Sequence, residues 1–178
     1  MGREGRRAVS GIAPCAIPPG AFLQRYQDGQ GYADCYCTTV QGRVSQAEFV
    51  RAFYTSPLFK VERWLLAVFA ARPSTDADAA RLAAGEAADF AAWRVEAQDD
   101  GQLLLCDFTG RTRSWLMASP LPGDGTRLCF GSAVVARAGD KPGRMGAGFQ
   151  ALLGFHRLYS RLLLRAARNG VRFTSFQK

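Results

Sequence analysis

The chain has 178 residues, 48% of them hydrophobic, and a formal net charge of +8 at pH 7. This length and composition predict one folded domain and exclude an intrinsically disordered chain. No apolar run approaches the roughly 20 residues that span a bilayer, which excludes a transmembrane helix. The charge is uneven, because residues 1–140 hold 15 basic and 15 acidic side chains, whereas residues 141–178 hold eight basic ones and no acid.

The N-terminal segment, residues 1–30, is rich in Gly, Pro and Arg, and we expect a partly ordered arm. Phe22, Leu23 and Tyr26 are its candidate docking points. Prolines interrupt its apolar patch too early for a signal peptide, so the expected location is the cytoplasm.

Residues 31–40 alternate and are rich in Tyr, Thr and Cys, which predicts a first strand. Ser45 and Glu48 then have the spacing of a capping box, in which each side chain accepts a backbone N–H of the other residue. The helix that they open is predicted to end near Thr55.

A second helix is predicted to begin at residues 56–57, where a Ser–Pro pair supplies a cap and a first-turn proline, and to end before Pro73. Thr75 caps a short alanine-rich helix that stops at Gly85. A further helical turn is expected over residues 86–90.

From Trp93 the hydrophobic period changes to two, which predicts an antiparallel meander. Its four strands are expected at residues 92–98, 102–108, 111–119 and 127–137. A turn at Thr109–Gly110 would place Cys106 opposite Arg113 and Leu104 opposite Trp115. Arginines beside a tryptophan either hold an anionic head group or face solvent with the ring packed on their stems, and the pattern leaves both open.

The last segment, residues 143–170, has an uninterrupted helical pattern that ends at a glycine. One line of this helix carries Met145, Phe149, Leu152, His156, Tyr159 and Leu163, and Phe155, Leu158 and Leu162 widen it into an apolar arc. A helix this long and apolar is expected to lie across the sheet, which gives an α+β fold.

The opposite side of this helix carries the arginines Arg157, Arg161, Arg165 and Arg168. They are either a solvated outer face or a surface for an anionic membrane or an acidic partner. Sequence-specific binding of nucleic acid is not expected, because the arginines have no interleaved aromatic residues and no nucleic-acid motif is present.

Five cysteines form an odd set without a C-x-x-C pair. Cys35 and Cys37 would share one face of a strand, but a single histidine and no further ligand cluster argue against zinc. We therefore expect buried, reduced thiols, no disulfide framework and no metal.

The order of elements resembles that of the START-like, polyketide cyclase-like helix-grip superfamily. The local sequence resembles that of a bacterial family of unknown function within it. The resemblance covers residues 31–168 and is carried by Tyr32-Ala33-Asp34, Leu105 to Arg111 and Phe155-His156-Arg157-Leu158. It implies a curved antiparallel sheet, two short helices after the first strand and a long C-terminal helix packed across the sheet. It further implies a cavity between sheet and helix that holds an apolar ligand. We expect one domain over residues 31–170 with a tail at 171–178, and no cofactor.

Three functional hypotheses follow. The first is binding of a small apolar or amphipathic ligand, lipid- or polyketide-like, by walls at Trp64, Trp93, Trp115, Phe130, Phe149, Leu152, His156 and Tyr159. The second is a cyclase or dehydratase in which His156, the one histidine, is the general base and Tyr159 or Arg113 steadies negative charge. The third is an interaction module acting through the arginines of the last helix. A core histidine satisfied by a neighbour is the alternative to any role for His156.

Overall fold

The computed structural model describes residues 11–27, 31–135 and 147–171, without the side chains of residues 70, 147–153 and 155. These residues form an α+β fold with a curved, seven-stranded antiparallel sheet. The strands are β1 (Ala13–Pro14), β2 (Tyr32–Gln41), β3 (Asp89–Phe90), β4 (Trp93–Gln98), β5 (Gln102–Asp107), β6 (Thr112–Leu121) and β7 (Gly125–Val134). The helices are α1 (Gln46–Tyr54), α2 (Pro57–Ala70), α3 (Asp76–Ala83) and α4 (Ala147–Gly170), and a 3₁₀ helix spans Phe22–Tyr26.

The sheet has the strand order β1-β2-β7-β6-β5-β4-β3, so the first long strand pairs with the last one. Helices α1 to α3 are inserted between β2 and β3, and α4 follows β7. This arrangement confirms the predicted α+β class and the C-terminal helix. The predicted hairpin register is also confirmed, since Leu104 lies opposite Trp115 and Cys106 opposite Arg113.

Local capping signals place the first three helices as predicted. Ser45 and Glu48 form the full capping box of α1, and Thr75 and Asp78 form one at α3. The helical turn expected over residues 86–90 is wrong, because residues 86–88 form no helix and Asp89–Phe90 form β3, which pairs with β4. Its backbone completes the sheet edge, where Val95 N donates to Ala88 O at 2.7 Å.

The face of the sheet that the helices cover, here called the inner face, is filled largely by aromatic rings. Phe53 lies at the centre of this core, with its ring centroid 4.8 Å from that of Phe130 and 5.1 Å from that of Tyr54. Tyr54 in turn contacts Phe59 of α2 at 4.8 Å. Rings at these separations prefer tilted or edge-to-face packing, so the cluster fixes α1 and α2 against the strands.

The opposite face, here called the outer face, is covered by residues 11–27. Leu23 of the 3₁₀ helix is fully buried there against Trp115 and Cys129. Gln102 fastens the segment, because its Oε1 accepts from Phe22 N at 2.9 Å and from Trp115 Nε1 at 3.0 Å. The N-terminal segment therefore contributes a strand and a cover to the domain.

Helix α4 contacts α1, α2, β2 and β7. Its buried residues in the described half are Ser160, Leu163, Leu164 and Ala167. The expectation that Leu158 and Leu162 belong to the buried arc is wrong, since they are 57% and 43% exposed. Within the described part of the chain, no helix has both the length and the apolar character needed to cross a membrane.

Candidate functional site

A row of polar side chains crosses the inner face, which is otherwise apolar. Asp34 of β2 lies directly opposite Ser132 of β7, and Ser132 lies opposite Ser114 of β6. At one end of the row, the hydroxyls of Ser114 and Tyr54 are 3.3 Å apart. Ser114 and Ser132 are buried, and the side chain of Asp34 is 11% exposed. Buried polar groups of this kind need hydrogen-bond partners, and the row supplies them mutually.

His156 reaches this row from α4. Its Nε2 lies 2.6 Å from Ser132 Oγ, and Ser132 Oγ donates to Asp34 Oδ1 at 2.6 Å. Because the single hydroxyl hydrogen of Ser132 goes to Asp34, the contact with His156 requires a proton on Nε2. His156 Nε2 is also 3.9 Å from Asp34 Oδ2. The three residues thus form a chain of hydrogen bonds from imidazole through hydroxyl to carboxylate.

Tyr32 supports the carboxylate from the same strand. Its hydroxyl donates to Asp34 Oδ2 at 3.0 Å, and its ring meets that of His156 edge to face at 6.4 Å. Arg157 donates to the Tyr32 hydroxyl at 3.2 Å. Burial raises the pKa of Tyr32, with a further contribution from Asp34, so this phenol stays protonated and keeps donating.

Tyr159, one turn beyond His156, has a different partner. Its hydroxyl donates to Glu62 Oε2 of α2 at 2.5 Å. Burial raises the pKa of both groups, and the negative charge of Glu62 adds to the shift of Tyr159, whereas the hydrogen bond partly offsets the shift of Glu62. The pair joins α2 to α4.

Arg113 lies on the outer face and does not join His156. Its Nε is 2.6 Å from Glu96 Oε2 and 3.0 Å from the Tyr26 hydroxyl, and its guanidinium lies over the Tyr26 ring. The pairing register puts it on the same face as Trp115, the face that residues 11–27 cover. Arg113 therefore ties the N-terminal segment to the sheet, and neither sequence alternative for it describes this role.

The predicted ligand walls are also divided between surfaces. Trp115 is fully buried on the outer face, and Trp64 is 62% exposed on α2. Phe130, Trp93 and Tyr159 pack in the inner core with His156 nearby on α4. Among the side chains that the structure describes, the Trp93 indole N–H is buried without a hydrogen-bond partner. The predicted walls Phe149 and Leu152 lie outside the described side chains.

Two of the four arginines of α4 lie over tyrosine rings of β2. The guanidinium of Arg157 lies over the Tyr32 ring at 5.9 Å, and that of Arg161 lies over the Tyr36 ring at 5.5 Å. Arg165 is exposed, and Arg168 is half-buried. Part of the predicted basic face is therefore engaged by tyrosines of β2.

A pocket of about 400 Å³ opens away from the polar row. Residues of α1 and α3 and Gly170 of α4 line it, among them Glu48, Arg51 and Asp76. It lies between helices and shares no residue with the His156 cluster, so the site is defined by the hydrogen-bond chain.

Asp34, Ser132 and Glu62 are the site residues that sequence reasoning missed. Strand alternation places Asp34 on the same face as Tyr32 and Tyr36, which was a usable signal. No sequence signal pairs Ser132 with His156 or Glu62 with Tyr159.

Comparison with known proteins adds little. No protein-family model matches the chain, and no curated protein matches it. Among solved structures, the chain is similar to the crystal structure of CalU16 from Micromonospora echinospora, with 14% identity over 92% of this chain and 93% of that chain. The TM-score is 0.29, a level at which the similarity carries no argument about function.

The expectation of five reduced thiols is wrong for two of them. Cys15 and Cys37 form a disulfide, which joins the N-terminal segment to β2. Cys35, Cys106 and Cys129 are free. The pairing was not visible in the sequence because Cys15 falls in the segment interpreted as an arm. The expectation that no further ligand cluster lies near Cys35 and Cys37 is also wrong, since Cys15 and Cys129 adjoin them.

Proposed function

We propose that this chain binds a small apolar or amphipathic molecule, lipid- or polyketide-like, between the inner face of the sheet and α4, as in a START-like helix-grip domain. The observation that carries the proposal is the chain of 2.6 Å hydrogen bonds joining His156, Ser132 and Asp34 on an otherwise apolar face. Its charged end is buried, while the side chain of His156 is 29% exposed and so accessible to a ligand.

The hydrogen-bond directions favour a ligand that carries a hydroxyl group. With the proton on Nε2 committed to Ser132, the lone pair of His156 lies on Nδ1 and accepts a hydrogen bond. Tyr36 and Phe130, which face each other across β2 and β7, are buried beside the polar row and make its surroundings apolar. A phenol or enol on an aromatic or polyketide skeleton has both properties, an acidic O–H and an apolar body.

A direct test uses 2-naphthol, a fluorescent aromatic alcohol with one hydroxyl group. We expect saturable binding by the full chain and about a tenfold weaker affinity in His156→Ala, as expected for loss of one hydrogen bond of about 1.4 kcal/mol. We also expect weaker affinity in Ser132→Ala, because Ser132 holds the imidazole with its proton on Nε2 and its lone pair on Nδ1. Leu158→Ala is the matched control, because Leu158 is exposed on the same helix. Binding that is unaffected by the first two variants, or lost equally in Leu158→Ala, contradicts the proposal.

Native mass spectrometry of the chain purified without added ligand tests the same proposal independently. We expect a retained small molecule of defined mass that disappears in His156→Ala. Circular dichroism of the variant establishes that it is folded. A wild-type spectrum without retained ligand, together with no 2-naphthol binding, leaves the site without a ligand and removes the proposal.

A cyclase or dehydratase activity is the second candidate, and the proton path favours it. A histidine that acts as a general base becomes positively charged, and a nearby carboxylate stabilises that charge. Asp34 Oδ2 lies 3.9 Å from His156 Nε2, and Ser132 links the two residues by hydrogen bonds. Of the other residues first proposed for catalysis, Tyr159 is committed to Glu62 and Arg113 lies on the outer face. His156 would then act with Asp34 and Ser132 as positioning residues.

The test substrate is heptane-2,6-dione, whose aldol closure with loss of one water gives an ultraviolet-absorbing cyclohexenone. His156 would accept a proton from the terminal carbon next to one carbonyl, that carbon would bond to the other carbonyl carbon, and His156 would return the proton to the resulting alkoxide. It would then accept a second proton from the same carbon and deliver it to the hydroxyl group, which leaves as water while the C=C bond forms. We expect acceleration over buffer that is abolished in His156→Ala and reduced in Asp34→Asn. No acceleration by folded wild-type protein removes the catalytic candidate and leaves the binding proposal untouched.

A further inference from the structure

Four of the five cysteines meet at one point of the outer face. The sulfur atoms of Cys15, Cys35, Cys37 and Cys129 all lie within 4.8 Å of one another. They come from three parts of the chain: the N-terminal segment, β2 and β7. Cys106 of β5 is the fifth cysteine and lies outside the cluster.

Strand register holds these four residues in place. Cys37 lies directly opposite Cys129, and Ala13 of β1 lies opposite Cys37 on the other side. The backbone N–H of Cys15 donates to Cys35 O at 2.9 Å. Because the pleat points residues 35 and 37 to the same face, all four sulfurs converge without any loop that has to close.

The separations suit a tetrahedral metal ion. Cys15 Sγ is 3.2 Å from Cys35 Sγ, and Cys37 Sγ is 3.1 Å from Cys129 Sγ. Zinc–sulfur bonds of about 2.3 Å place tetrahedral ligands roughly 3.8 Å apart, so the sulfurs need only small shifts to reach this spacing once the Cys15–Cys37 disulfide is reduced. Four soft sulfur ligands with no oxygen or nitrogen ligand favour Zn²⁺ over Mg²⁺ or Ca²⁺.

The surroundings indicate a closed, structural site. Cys35 and Cys129 are buried at 3% and 0% exposure, and they pack in one hydrophobic core with Leu23 and Trp115. Asp34 and Arg127 act on Cys35 with opposite charges, and Arg127 also acts on Cys129. With four protein ligands, no coordination position remains for substrate, so the metal would have no catalytic role.

We propose that Cys15, Cys35, Cys37 and Cys129 form a tetrathiolate zinc site in the reduced protein, and that this site and the Cys15–Cys37 disulfide are alternative states. Two molecules of a small thiol reductant supply two electrons and two protons to the disulfide and become one disulfide themselves. Zn²⁺ then displaces four thiol protons. Either state fastens the N-terminal segment to β2, and zinc does so in a reducing compartment, where disulfides do not persist.

The test begins with the full chain, reduced with a phosphine and exposed to Zn²⁺ alone. Native mass spectrometry and elemental analysis are expected to show one zinc per chain. Cobalt substitution is expected to produce thiolate-to-metal charge-transfer bands and the intense visible bands of tetrahedral Co²⁺. Cys15→Ser and Cys129→Ser are expected to lose stoichiometric binding, whereas Cys106→Ser is expected to retain it.

Oxidation supplies the second arm. Treatment with a disulfide-forming oxidant is expected to release the zinc and to leave three alkylatable thiols out of five, since Cys15 and Cys37 pair. Cys15 is half-buried, so Cys15→Ser remains informative if Cys129→Ser fails to fold. Folded, reduced wild-type protein that takes up no zinc, or zinc binding that survives Cys15→Ser, overturns the proposal.

Discussion

At the residue scale, Glu62, which accepts a hydrogen bond from Tyr159, makes the free energy of unfolding depend on pH in a direction that can be predicted. The folded protein raises the pKa of Glu62 through burial. Between the ordinary and the raised pKa, the folded state therefore binds more protons than the unfolded state, and the free energy of unfolding falls as pH rises through this window. Above the raised pKa, the full cost of the buried carboxylate is present.

Glu62→Gln removes that charge and keeps an oxygen that accepts from Tyr159. We expect Glu62→Gln to be more stable than wild type at neutral pH and equal to it below the ordinary carboxyl pKa of about 4.3. Tyr159→Phe leaves the carboxylate without this donor, and we expect a loss of about 1–3 kcal/mol at neutral pH. Urea unfolding at both pH values measures the two effects. A Glu62→Gln variant that is less stable at neutral pH would show that the charge is favourable where it lies.

At the element scale, strand β7 is built to let the N-terminal segment approach. A Cβ atom added at Gly131 would lie 2.5 Å from Leu23 Cδ2, 2.8 Å from Asp34 O and 3.1 Å from Trp115 Cε3. The neighbouring outer-face residues of this strand are the small Cys129 and Ala133. The strand therefore leaves room for the 3₁₀ helix and for the indole ring of Trp115.

Gly131→Ala is expected to destabilise the protein by about 1–3 kcal/mol, since the backbone oxygen of Asp34 cannot move aside without disturbing the β2–β7 pairing. Gly154→Ala is the matched control. Gly154 is exposed on α4 with nothing within 4 Å of the added Cβ, so helix propensity predicts a gain of about 0.5–1 kcal/mol. Thermal unfolding of both variants measures the difference. Equal stabilities would mean that the close approach of Leu23 to β7 has no energetic weight.

The elements also show how far sequence reasoning extends. Capping boxes and the meander were predictable because the partners of Ser45, Thr75 and Leu104 lie on the same or the neighbouring element. Segments that take their conformation from distant partners were not. Residues 89–90 are a strand because β4 lies beside them, and β1 forms because β2 offers an open edge.

The candidate site divides in the same way. His156 was identified from its place in the helical pattern, but its partner Ser132 lies 24 residues away on β7, and the partner of Ser132 lies 98 residues away on β2. Leu158 and Leu162 were placed in the buried arc because their apolar character was read without knowing which side of α4 meets the sheet. A helix with apolar residues on more than one side does not specify its own orientation.

At the scale of the whole molecule, apolar and basic surfaces lie on adjacent helices. Helix α2 exposes Phe69 at 80% and Trp64 at 62%, and α4, which contacts it, exposes Leu158 at 57%. The excess positive charge of the chain lies in residues 141–178. Exposed aromatic side chains beside basic ones are typical of surfaces that bind anionic bilayers.

We therefore expect the chain to bind vesicles containing phosphatidylserine and to bind neutral phosphatidylcholine vesicles at least tenfold more weakly, because each basic residue near such a surface contributes about 1 kcal/mol. Binding is expected to weaken between 50 and 300 mM salt, because salt screens the attraction between the arginines and the lipid head groups (the Debye length is about 10 Å at 0.1 M).

The double variant Arg161→Glu, Arg165→Glu should abolish the preference for anionic lipid, whereas Trp64→Ala should weaken binding to both kinds of vesicle. Arg81→Glu is the charge control, because Arg81 is exposed and lies on α3, away from α2 and α4 in sequence. Co-sedimentation with vesicles measures the binding of the wild type and of the three variants. Binding that does not depend on lipid charge, or that Arg81→Glu reduces as much as the double arginine variant does, would assign these helices to a partner other than a membrane.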